Sequence, residues 1–225
     1  MKEKRTKPPP TLKKSRVLII DDHVMVREGV AEIIEHEPDL DVCGMATTAN
    51  EGIDAVRKLK PDLVIVDITL PGKNGIEFIK DARAMNPELR ILVMSMHDES
   101  LYADRVLRAG GRGYIRKQEG GEKLIEAMRR VLHGEIAVSE KMTGKLLERF
   151  GGRKTMDSPL EGLSDRELEV FQLVGQGKTM KEIGDELHLS PKTVEVHRSH
   201  IREKLKITSA AELISYAARW SETQR

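Results

Sequence analysis

The stretch LVIVDITLPG, residues 63–72, decides the fold of this 225-residue chain. Four consecutive apolar residues, three of them β-branched, predict a strand that is buried on both faces. The Pro-Gly pair that follows predicts a turn. An ionised carboxylate at the end of a buried strand is unfavourable unless another group pairs with it, so we expect polar side chains around Asp67.

A second strand of the same type, RVLII at residues 16–20, also ends in acid, because Asp21 and Asp22 follow it. If the two strands are parallel neighbours, three carboxylates meet at the carboxyl edge of the sheet, where open α/β sheets bind ligands. Three clustered negative charges repel one another and favour a bound divalent cation. Oxygen ligands with room for water are typical of Mg²⁺ sites, so we predict Mg²⁺ as the cofactor here.

Two further predicted strands end in groups that suit a phosphoryl group. The strand at residues 90–94 leads to Ser95, and the strand at residues 113–116 leads to Lys117. A hydroxyl and an ammonium at the same sheet edge can bind a phosphoryl group carried by Asp67. Mg²⁺ and Lys117 would neutralise the charge that develops during in-line transfer. Acid, hydroxyl and ammonium groups at the ends of four strands together predict one phosphoryl-transfer site.

Residues 16–134 alternate strand-like and helix-like segments, and proline or glycine follows each predicted helix. The helices are predicted at residues 23–37, 48–59, 75–85, 101–109 and 121–132. Five strands, each followed by a helix, predict a parallel sheet with right-handed crossovers. We therefore expect an α/β domain of the flavodoxin-like (βα)5 type, with strand order 2-1-3-4-5 and Asp67 at the tip of the central strand.

The C-terminal part of the chain is short and helical. Four helices are predicted there, and they begin at Ser164, Thr179, Ser190 and Ser209. Three of these starts are capping boxes, and the helix after Ser190 has Pro191 in its favoured first position. The second and third helices are joined by residues 188–190 and predict a helix-turn-helix. We expect a small all-α four-helix domain, preceded by a short helix at residues 139–149.

The predicted chain has four parts. They are a disordered basic tail at residues 1–15, the α/β domain at 16–134, a linker with a short helix at 135–160, and the helix-turn-helix domain at 161–225. The tail lacks the apolar segment of a signal peptide, and no apolar run approaches the ~18–20 residues of a membrane helix. The single cysteine, Cys43, excludes an internal disulfide. These features predict a cytoplasmic protein with no membrane partner.

The helix at residues 190–205 separates into two faces at 100° per residue. The side predicted to pack inward consists of Val194, His197, Ile201 and Leu205. The opposite side would enter a major groove, where the N-terminal residues of such a helix reach base edges. Neighbouring groups would hold DNA phosphates. The residues predicted to contact DNA are Thr179, Lys181, Lys192, Thr193, Glu195, Val196, Arg198, Ser199 and Lys204.

The strand-end groups form a recognisable set, which comprises Asp21, Asp22, Asp67, Pro71, Gly72, Ser95, Tyr114 and Lys117. This set, within residues 16–134, resembles the receiver domain of bacterial response regulators. The resemblance implies that a sensor histidine kinase transfers a phosphoryl group from its phosphohistidine to Asp67. It implies that Asp22, Asp67 and the Thr69 backbone carbonyl bind Mg²⁺, with Asp21 helping through water. It also implies that Ser95 and Tyr114 form a switch and that Lys117 pairs with the phosphate.

The helical domain carries a second recognisable set. It comprises LSxRE at residues 163–167, KEI at 181–183, TVEVH at 193–197, Ile201, and KL at 204–205. This set resembles the LuxR-type DNA-binding domain, and the whole chain resembles a NarL/FixJ-type response regulator. Two departures affect the operator sequence, because Glu195 stands where relatives often have a basic residue and Met180 where Asn is common. An acid at position 195 repels phosphate and suits a hydrogen bond from cytosine N4.

The two resemblances imply a transcription factor controlled by phosphorylation. A phosphoryl group would add about −1.5 to −2 charges at Asp67. Ser95 would move to bond a phosphoryl oxygen, Tyr114 would fill the space that it leaves, and the DNA helix would be freed, a homodimer favoured, or both. The last helix offers a dimer face or packs on its own domain, with Ala210, Leu213, Ile214 and Ala217. The expected partners are the kinase, double-stranded DNA and a second copy.

Other functions remain open from the sequence alone. A Mg²⁺-dependent phosphatase of the haloacid-dehalogenase type also uses a strand-end aspartate, but it needs a second acid two residues later, where this chain has Thr69. A constitutive DNA-binding protein with an inert receiver-like domain is a third possibility, against which the intact acid set argues. A metal site built from His188, His197 and His200 is disfavoured, because His197 lies on the apolar face of its helix and His200 does not.

Overall fold

The computed structural model describes residues 14–150 and 159–223. Residues 1–13 of the predicted tail lie outside the described residues, as do residues 151–158 of the predicted linker and the last two residues, 224 and 225. Ser15, which the sequence analysis assigns to the tail, is the first residue of a strand.

The described part of the chain alternates strands and helices first and is helical afterwards. The strands are β1 (Ser15–Ile20), β2 (Leu40–Ala46), β3 (Leu63–Val66), β4 (Arg90–Ser95) and β5 (Gly113–Arg116). The helices between and after them are α1 (Val24–Glu35), α2 (Ala49–Leu59), α3 (Gly75–Met85), α4 (Glu99–Ala109) and α5 (Gly121–Leu132). The later helices are α6 (Glu140–Phe150), α7 (Asp165–Gly175), α8 (Met180–Leu187), α9 (Pro191–Leu205) and α10 (Ala210–Thr223). Within residues 14–150 and 159–223, no helix has the length and apolarity required to span a membrane.

The five strands form one parallel sheet in the order β2-β1-β3-β4-β5, which confirms the predicted flavodoxin-like topology. β3 lies in the centre, and all four of its residues are buried because helices cover both faces of the sheet. Ile20 pairs with Val66 at the ends of β1 and β3. Asp21 and Asp67 therefore leave the sheet side by side.

Hydrophobic side chains cover both faces of the sheet, because successive residues of a strand point to opposite sides. One core includes Ile19 and Ile65 and is completed by α1 and α5. The other includes Ile20 and Val64, is completed by α2, α3 and α4, and continues into the helix-turn-helix domain. At that junction the buried Tyr102 hydroxyl donates to Gln172 Oε1 at 2.9 Å. The two domains therefore share a buried surface.

The helices of the second domain begin where the capping signals place them. The side chains of Ser164 and Thr179 each accept a hydrogen bond from the backbone N–H of the glutamate three residues later. The side chain of that glutamate accepts one from the backbone N–H of the capping residue. Ser190 caps α9, and Pro191 stands at its first position. His188, which ends α8, has a φ of 54°, in the left-handed region that histidine enters more readily than most residues. This conformation turns the chain sharply into α9.

The single tryptophan lies in α10 and packs inside the second domain. The ring centroid of Trp220 is 5.5 Å from that of Phe171 on α7, in an edge-to-face arrangement. Tyr216 contacts the same phenylalanine, with ring centroids 5.9 Å apart. These aromatic contacts fix α10 against α7.

The segment after α5 is joined to the edge of the sheet. Ala137 forms a parallel bridge with Gly113, and its carbonyl accepts a hydrogen bond from the Tyr114 backbone at 2.8 Å. The Ser139 backbone donates to Glu99 Oε1 at the start of α4. This segment therefore contacts both β5 and α4.

We expect Gly75→Ala to destabilise the α/β domain by about 1–3 kcal/mol, because overpacking has costs of this size. A Cβ at position 75 would lie 2.0 Å from the Asp67 backbone oxygen. The matched control is Gly29→Ala, since nothing lies within 4 Å of a Cβ there and the glycine is inside α1. The control should gain roughly 0.5–1 kcal/mol. Urea unfolding of both variants checks the pair, and equal stabilities would contradict the predicted crowding.

Candidate functional site

The ends of β1 and β3 bring four metal-binding side chains together. One ligand atom each from Asp21, Asp22, His23 and Asp67 lies within 4.8 Å of the others. The three acids were predicted at this edge from the sequence, whereas His23 was not. The His23 Nδ1 atom lies 2.8 Å from Asp22 Oδ1 and 3.2 Å from Asp21 Oδ1. A histidine directly after two strand-end acids was the only sequence signal for this contact.

Lys117 enters the acid cluster from the end of β5. Its Nζ donates to Asp67 Oδ2 at 2.6 Å and lies 2.7 Å from Asp21 Oδ2. Burial disfavours the ammonium, but Asp67 and Asp21 outweigh burial and raise the pKa of Lys117. The lysine therefore stays charged and neutralises part of the cluster.

Asp67 is 3% exposed and lies at the centre of the cluster. Burial raises the pKa of its carboxyl to about 6, while the Lys117 ammonium acts in the opposite direction and Asp21 adds to the increase. Its Oδ1 atom is buried and makes no hydrogen bond to any described residue. An unsatisfied carboxylate oxygen beside two further acids fits a divalent cation, and oxygen donors favour Mg²⁺. The residues present therefore fit the predicted cofactor.

Ser95 and Tyr114, the predicted switch residues, are both buried beside the acid cluster. The Tyr114 hydroxyl donates to the His97 carbonyl at 2.9 Å. Burial raises the pKa of Tyr114, so the hydroxyl keeps its proton. The ring that was predicted to move inward after phosphorylation already points inward in this structure.

His97 connects the acid cluster with α4, a role that the sequence analysis did not assign. Its Nε2 lies 3.0 Å from the Thr69 hydroxyl, and its ring stacks on Tyr102 with centroids 4.7 Å apart. Burial lowers the pKa of His97 to about 4, so the ring is neutral at physiological pH. The contact involves the side chain of Thr69, and the predicted cation contact of its backbone carbonyl stays a prediction.

The outer face of α9 is exposed, as the periodicity predicts. Val194 and Ile201 are buried against the domain. The exposed residues on the other side are Lys192, Glu195, Val196, Ser199 and Glu203. Lys181 at the start of α8 is also exposed. Most of the residues predicted to meet DNA therefore share an accessible surface, whereas the Arg198 side chain is only 14% exposed.

Three of the predicted DNA contacts already have partners inside the domain. The Thr179 hydroxyl donates to Glu182 at 2.7 Å, and the Thr193 hydroxyl lies 2.8 Å from that of Ser190. Lys204 Nζ donates to Glu167 Oε2 at 2.7 Å. The two threonines bond residues at the starts of their own helices, and Lys204 joins α9 to α7. The contacts of all three with phosphates stay predictions.

Glu195 is half exposed and lies between two arginines of its own helix. Its carboxylate oxygens are 3.7 Å from Arg198 Nη1 and 3.6 Å from Arg202 Nη2. Both arginines reduce the negative potential that this acid would present to DNA. The acid at the base-reading position is therefore partly neutralised.

Some of the apolar residues of α10 are buried and others are exposed. Leu213 and Ala217 are fully buried in the second domain. Ile214 is 46% exposed, and Ala210 is also exposed. Packing on its own domain accounts for half of the predicted dimer face, and Ile214 and Ala210 remain accessible.

The second domain contacts the mouth of the acid cluster. His188 Nε2 lies 2.8 Å from Asp22 Oδ2, and Arg166 Nη2 donates to the Gly72 carbonyl at 3.1 Å. Arg105 on α4 also contacts Asp165 and the Leu163 carbonyl. The sequence analysis did not predict these contacts.

Two family models match the two domains. The model of the response regulator receiver domain matches residues 17–129. The model of bacterial regulatory proteins of the luxR family matches residues 161–217. The two matches agree with the resemblances inferred from the strand-end groups and from α7 to α9.

The chain is also similar to curated relatives and to solved structures of response regulators. The chain is 37% identical over 208 residues to the oxygen regulatory protein NreC of Staphylococcus haemolyticus, covering 90% of this chain and 96% of the relative. The RcsB response regulator of Salmonella typhimurium is 26% identical, with a TM-score of 0.64 over 92% of this chain and 98% of the other. A LuxR-family response regulator from Aurantimonas sp. SI85-9A1 is 34% identical, with a TM-score of 0.57 over 62% and 99%.

We expect Asp67→Asn to stabilise the protein by about 1–3 kcal/mol at pH 7.5 in the presence of a chelator. The folded state raises the pKa of Asp67, so its penalty on the ionised form is complete above about pH 6. Lys117 would keep Asp21 as a partner. Urea unfolding measures the change, and Asp54→Asn on the exposed side of α2 is the control. A loss of stability in Asp67→Asn would mean that the Lys117 pair outweighs burial.

Proposed function

Since the chain belongs to the bacterial response regulators that join a receiver domain to a LuxR-type DNA-binding domain, we propose that phosphorylation of Asp67 controls its binding to DNA. The chain is a two-component response regulator that regulates transcription. The observation that carries the proposal is the buried cluster in which Lys117 bridges Asp67 and Asp21. A kinase and DNA as partners also favour a protein that acts in the cytoplasm.

The phosphoryl transfer uses Asp67 as the nucleophile. A carboxylate oxygen of Asp67 forms a bond to the phosphorus of a phosphohistidine on a sensor kinase. The phosphorus–nitrogen bond breaks, and its electron pair returns to the imidazole. Asp22, Asp67 and the Thr69 carbonyl would hold Mg²⁺, with Asp21 helping through water, and the cation would neutralise charge on the phosphoryl oxygens. Lys117 binds a phosphoryl oxygen after its bond to Asp67 is released.

The conformational change caused by phosphorylation begins at the residues at the ends of β4 and β5. Ser95 bonds a phosphoryl oxygen, and the Tyr114 ring repacks around it. The Tyr114 hydroxyl bonds the His97 carbonyl, and His97 in turn contacts Thr69 and Tyr102. Movement of Ser95 therefore disturbs the surface of α4 that holds the second domain. The phosphorylated state is favoured only as far as the phosphoryl group binds it better than the resting state.

DNA recognition uses the exposed face of α9. Lys192, Glu195 and Val196 near the helix start face the major groove, and Ser199 extends the same surface. The residues that bind the DNA phosphates are Lys181, Thr179, Thr193, Arg198 and Lys204. RcsB supports this assignment, because structures of that protein are described as bound to promoters in the presence of the phosphomimetic BeF₃⁻.

The active form is a homodimer. A modest basic excess on α9 limits the affinity of one domain for DNA, so two domains on adjacent half-sites are needed. Ile214 and Ala210 are the accessible residues of the dimer face on α10. Structures of RcsB described as dimers bound to DNA support this arrangement.

The two other candidate functions have less support. A phosphatase of the haloacid-dehalogenase type needs an acid at position 69, where the Thr69 hydroxyl instead contacts His97. An inert receiver would not retain Lys117 paired with both Asp21 and Asp67. Family membership also favours the response regulator over either alternative.

Incubation with acetyl phosphate and Mg²⁺ should label the wild-type protein with one phosphoryl group, detected by intact-protein mass spectrometry. Asp67→Asn should take no label, because the nucleophilic oxygen is replaced by an amide. Asp54→Asn, on the exposed side of α2, should label at the wild-type rate. EDTA should prevent labelling of every variant. Label on Asp67→Asn would remove Asp67 from its role.

Lys181→Ala should weaken binding to DNA about equally for all sequences, because Lys181 is an exposed residue assigned to a phosphate. Loss of one phosphate contact also reduces the slope of log affinity against log salt concentration by about one. Lys58→Ala removes an equal charge from the last turn of α2, in the α/β domain, and is the control. Fluorescence anisotropy with promoter DNA at several salt concentrations measures both quantities. An unchanged slope would mean that Lys181 does not contact a phosphate.

A further inference from the structure

A polar stripe on α7 is buried where the two domains meet. Asp165, Glu169 and Gln172 follow one another at intervals of four and three residues, so they lie on one face of the helix. Asp165 pairs with Arg105 on α4, and Gln172 accepts a hydrogen bond from Tyr102, also on α4. Glu169 stands between them on the same face. Its burial therefore depends on the contact between α7 and α4.

Glu169 is more deeply buried than the acid that begins the stripe. It is 0% exposed, whereas the side chain of Asp165 is 13% exposed. Glu169 Oε2 accepts a hydrogen bond from Arg166 Nη1 at 2.6 Å. Its Oε1 atom is buried and has no hydrogen-bond partner among the described residues. An ionised carboxylate that leaves water needs partners for both oxygens, so half of this group is left unsatisfied.

The arginine that contacts Glu169 is shared with other acceptors. Arg166 Nη2 donates to the Gly72 carbonyl of the first domain and to the Leu187 carbonyl at the end of α8. The carboxylate and the guanidinium therefore meet through one hydrogen bond rather than through the two of a bidentate pair. A single shared contact compensates less of the cost of burying the negative charge.

The surroundings of Glu169 favour its protonated form. Burial is the largest influence and raises the pKa of Glu169 to about 7, although Arg166 acts in the opposite direction. Asp165 and Asp67 add to the increase. Tyr102 keeps its proton, because burial raises its pKa as well. The further charged or titratable groups near this stripe are Arg105 on α4, Lys80 on α3 and, beside Arg166, His197 on α9.

We propose that docking of the second domain on α4 takes up one proton at Glu169, so that acidity favours the docked arrangement. When α7 leaves α4, the polar stripe meets water, and Glu169 ionises as an exposed glutamate does. When the two helices close, the carboxyl exchanges that water for one hydrogen bond and binds a proton. The inference concerns the unphosphorylated protein, so it does not require a phosphoryl group on Asp67.

The direction of the pH dependence follows from the raised pKa. A group that binds its proton more tightly in the docked state supports docking most strongly below its ordinary pKa. This support disappears as the pH rises through the pKa of the docked state. Because the docked pKa of Glu169 is about 7, docking weakens as the pH rises through neutrality. One such proton changes the ratio of docked to released molecules about tenfold between about pH 6 and pH 8.

The first test is a titration of the wild-type, full-length protein by nuclear magnetic resonance. Glutamate labelled with ¹³C at the side-chain carboxyl gives a signal for Glu169, which is assigned through its own backbone. We expect this signal to titrate with a midpoint close to 7. A midpoint at or below the ordinary glutamate value would overturn the proposal, because it would mean that the Arg166 contact keeps the buried carboxylate ionised.

The second test counts docked and released molecules by single-molecule energy transfer in the full-length chain. Lys58→Cys on α2 and Glu203→Cys on α9 carry the dyes, since both positions are exposed, and Cys43→Ala removes the one native thiol. Arg105→Ala is present in every protein compared. It removes the contacts of α4 with Asp165 and with two carbonyls, which raises the released population to a measurable level.

In this labelled protein, acidification from about pH 8 to pH 6 should raise the ratio of docked to released molecules. The rise should be about tenfold larger than in the same protein with Glu169→Gln, because the amide cannot bind the proton. Histidines near the junction titrate in both proteins, so their contribution cancels in this comparison. Glu222→Gln, at an exposed position of α10, is the control and should respond to pH as the parent does.

Two results of the second test would overturn the proposal. An equal response to pH with and without Glu169→Gln would mean that docking takes up no proton at this position. Weaker docking of Glu169→Gln than of its parent at about pH 8 would mean that the ionised carboxylate supports docking through Arg166. Circular dichroism of each protein at both pH values identifies any loss of folding, and the wild-type titration stands without a variant.

Discussion

The Lys117 ammonium between Asp21 and Asp67 is the interaction on which the functional part of the structure depends. Three strands, β1, β3 and β5, end in these groups, and two buried carboxylates are tolerated only because a buried cation pairs with both. Burial and, to a smaller extent, Asp21 still raise the pKa of Asp67, and one of its oxygens is unsatisfied. The resting pocket is therefore arranged to accept more positive charge.

Strand-end chemistry explains why much of the fold and site was predictable. Parallel strands appear in the sequence as short apolar runs. The acids that follow β1 and β3 meet once these strands pair, as Ile20 does with Val66. The starts of helices in the second domain were also predictable from local sequence, because Ser164 and Thr179 accept hydrogen bonds from backbone N–H groups in the first turn of the helices that they cap. Elements specified by neighbouring residues are the ones that the sequence reveals.

The contacts between domains follow from another kind of constraint. His188 and Asp22 are 166 residues apart, and neither local periodicity nor capping chemistry pairs them. The role of His97 was not predicted for a similar reason, since it depends on Tyr102 and Thr69 from other elements. Lys204 was predicted to contact a phosphate because the sequence shows its charge but does not show that Glu167 is its partner. The roles of side chains that contact other elements can be identified only from the folded structure.

Because Trp220 packs against Phe171, its fluorescence is an intrinsic probe of the second domain. The chain has one indole, and it lies within the C-terminal domain. Its fluorescence therefore reports melting of the helix-turn-helix alone, whereas circular dichroism reports both halves. Comparing the two signals during denaturation distinguishes one cooperative transition, in which both halves melt together, from two successive transitions.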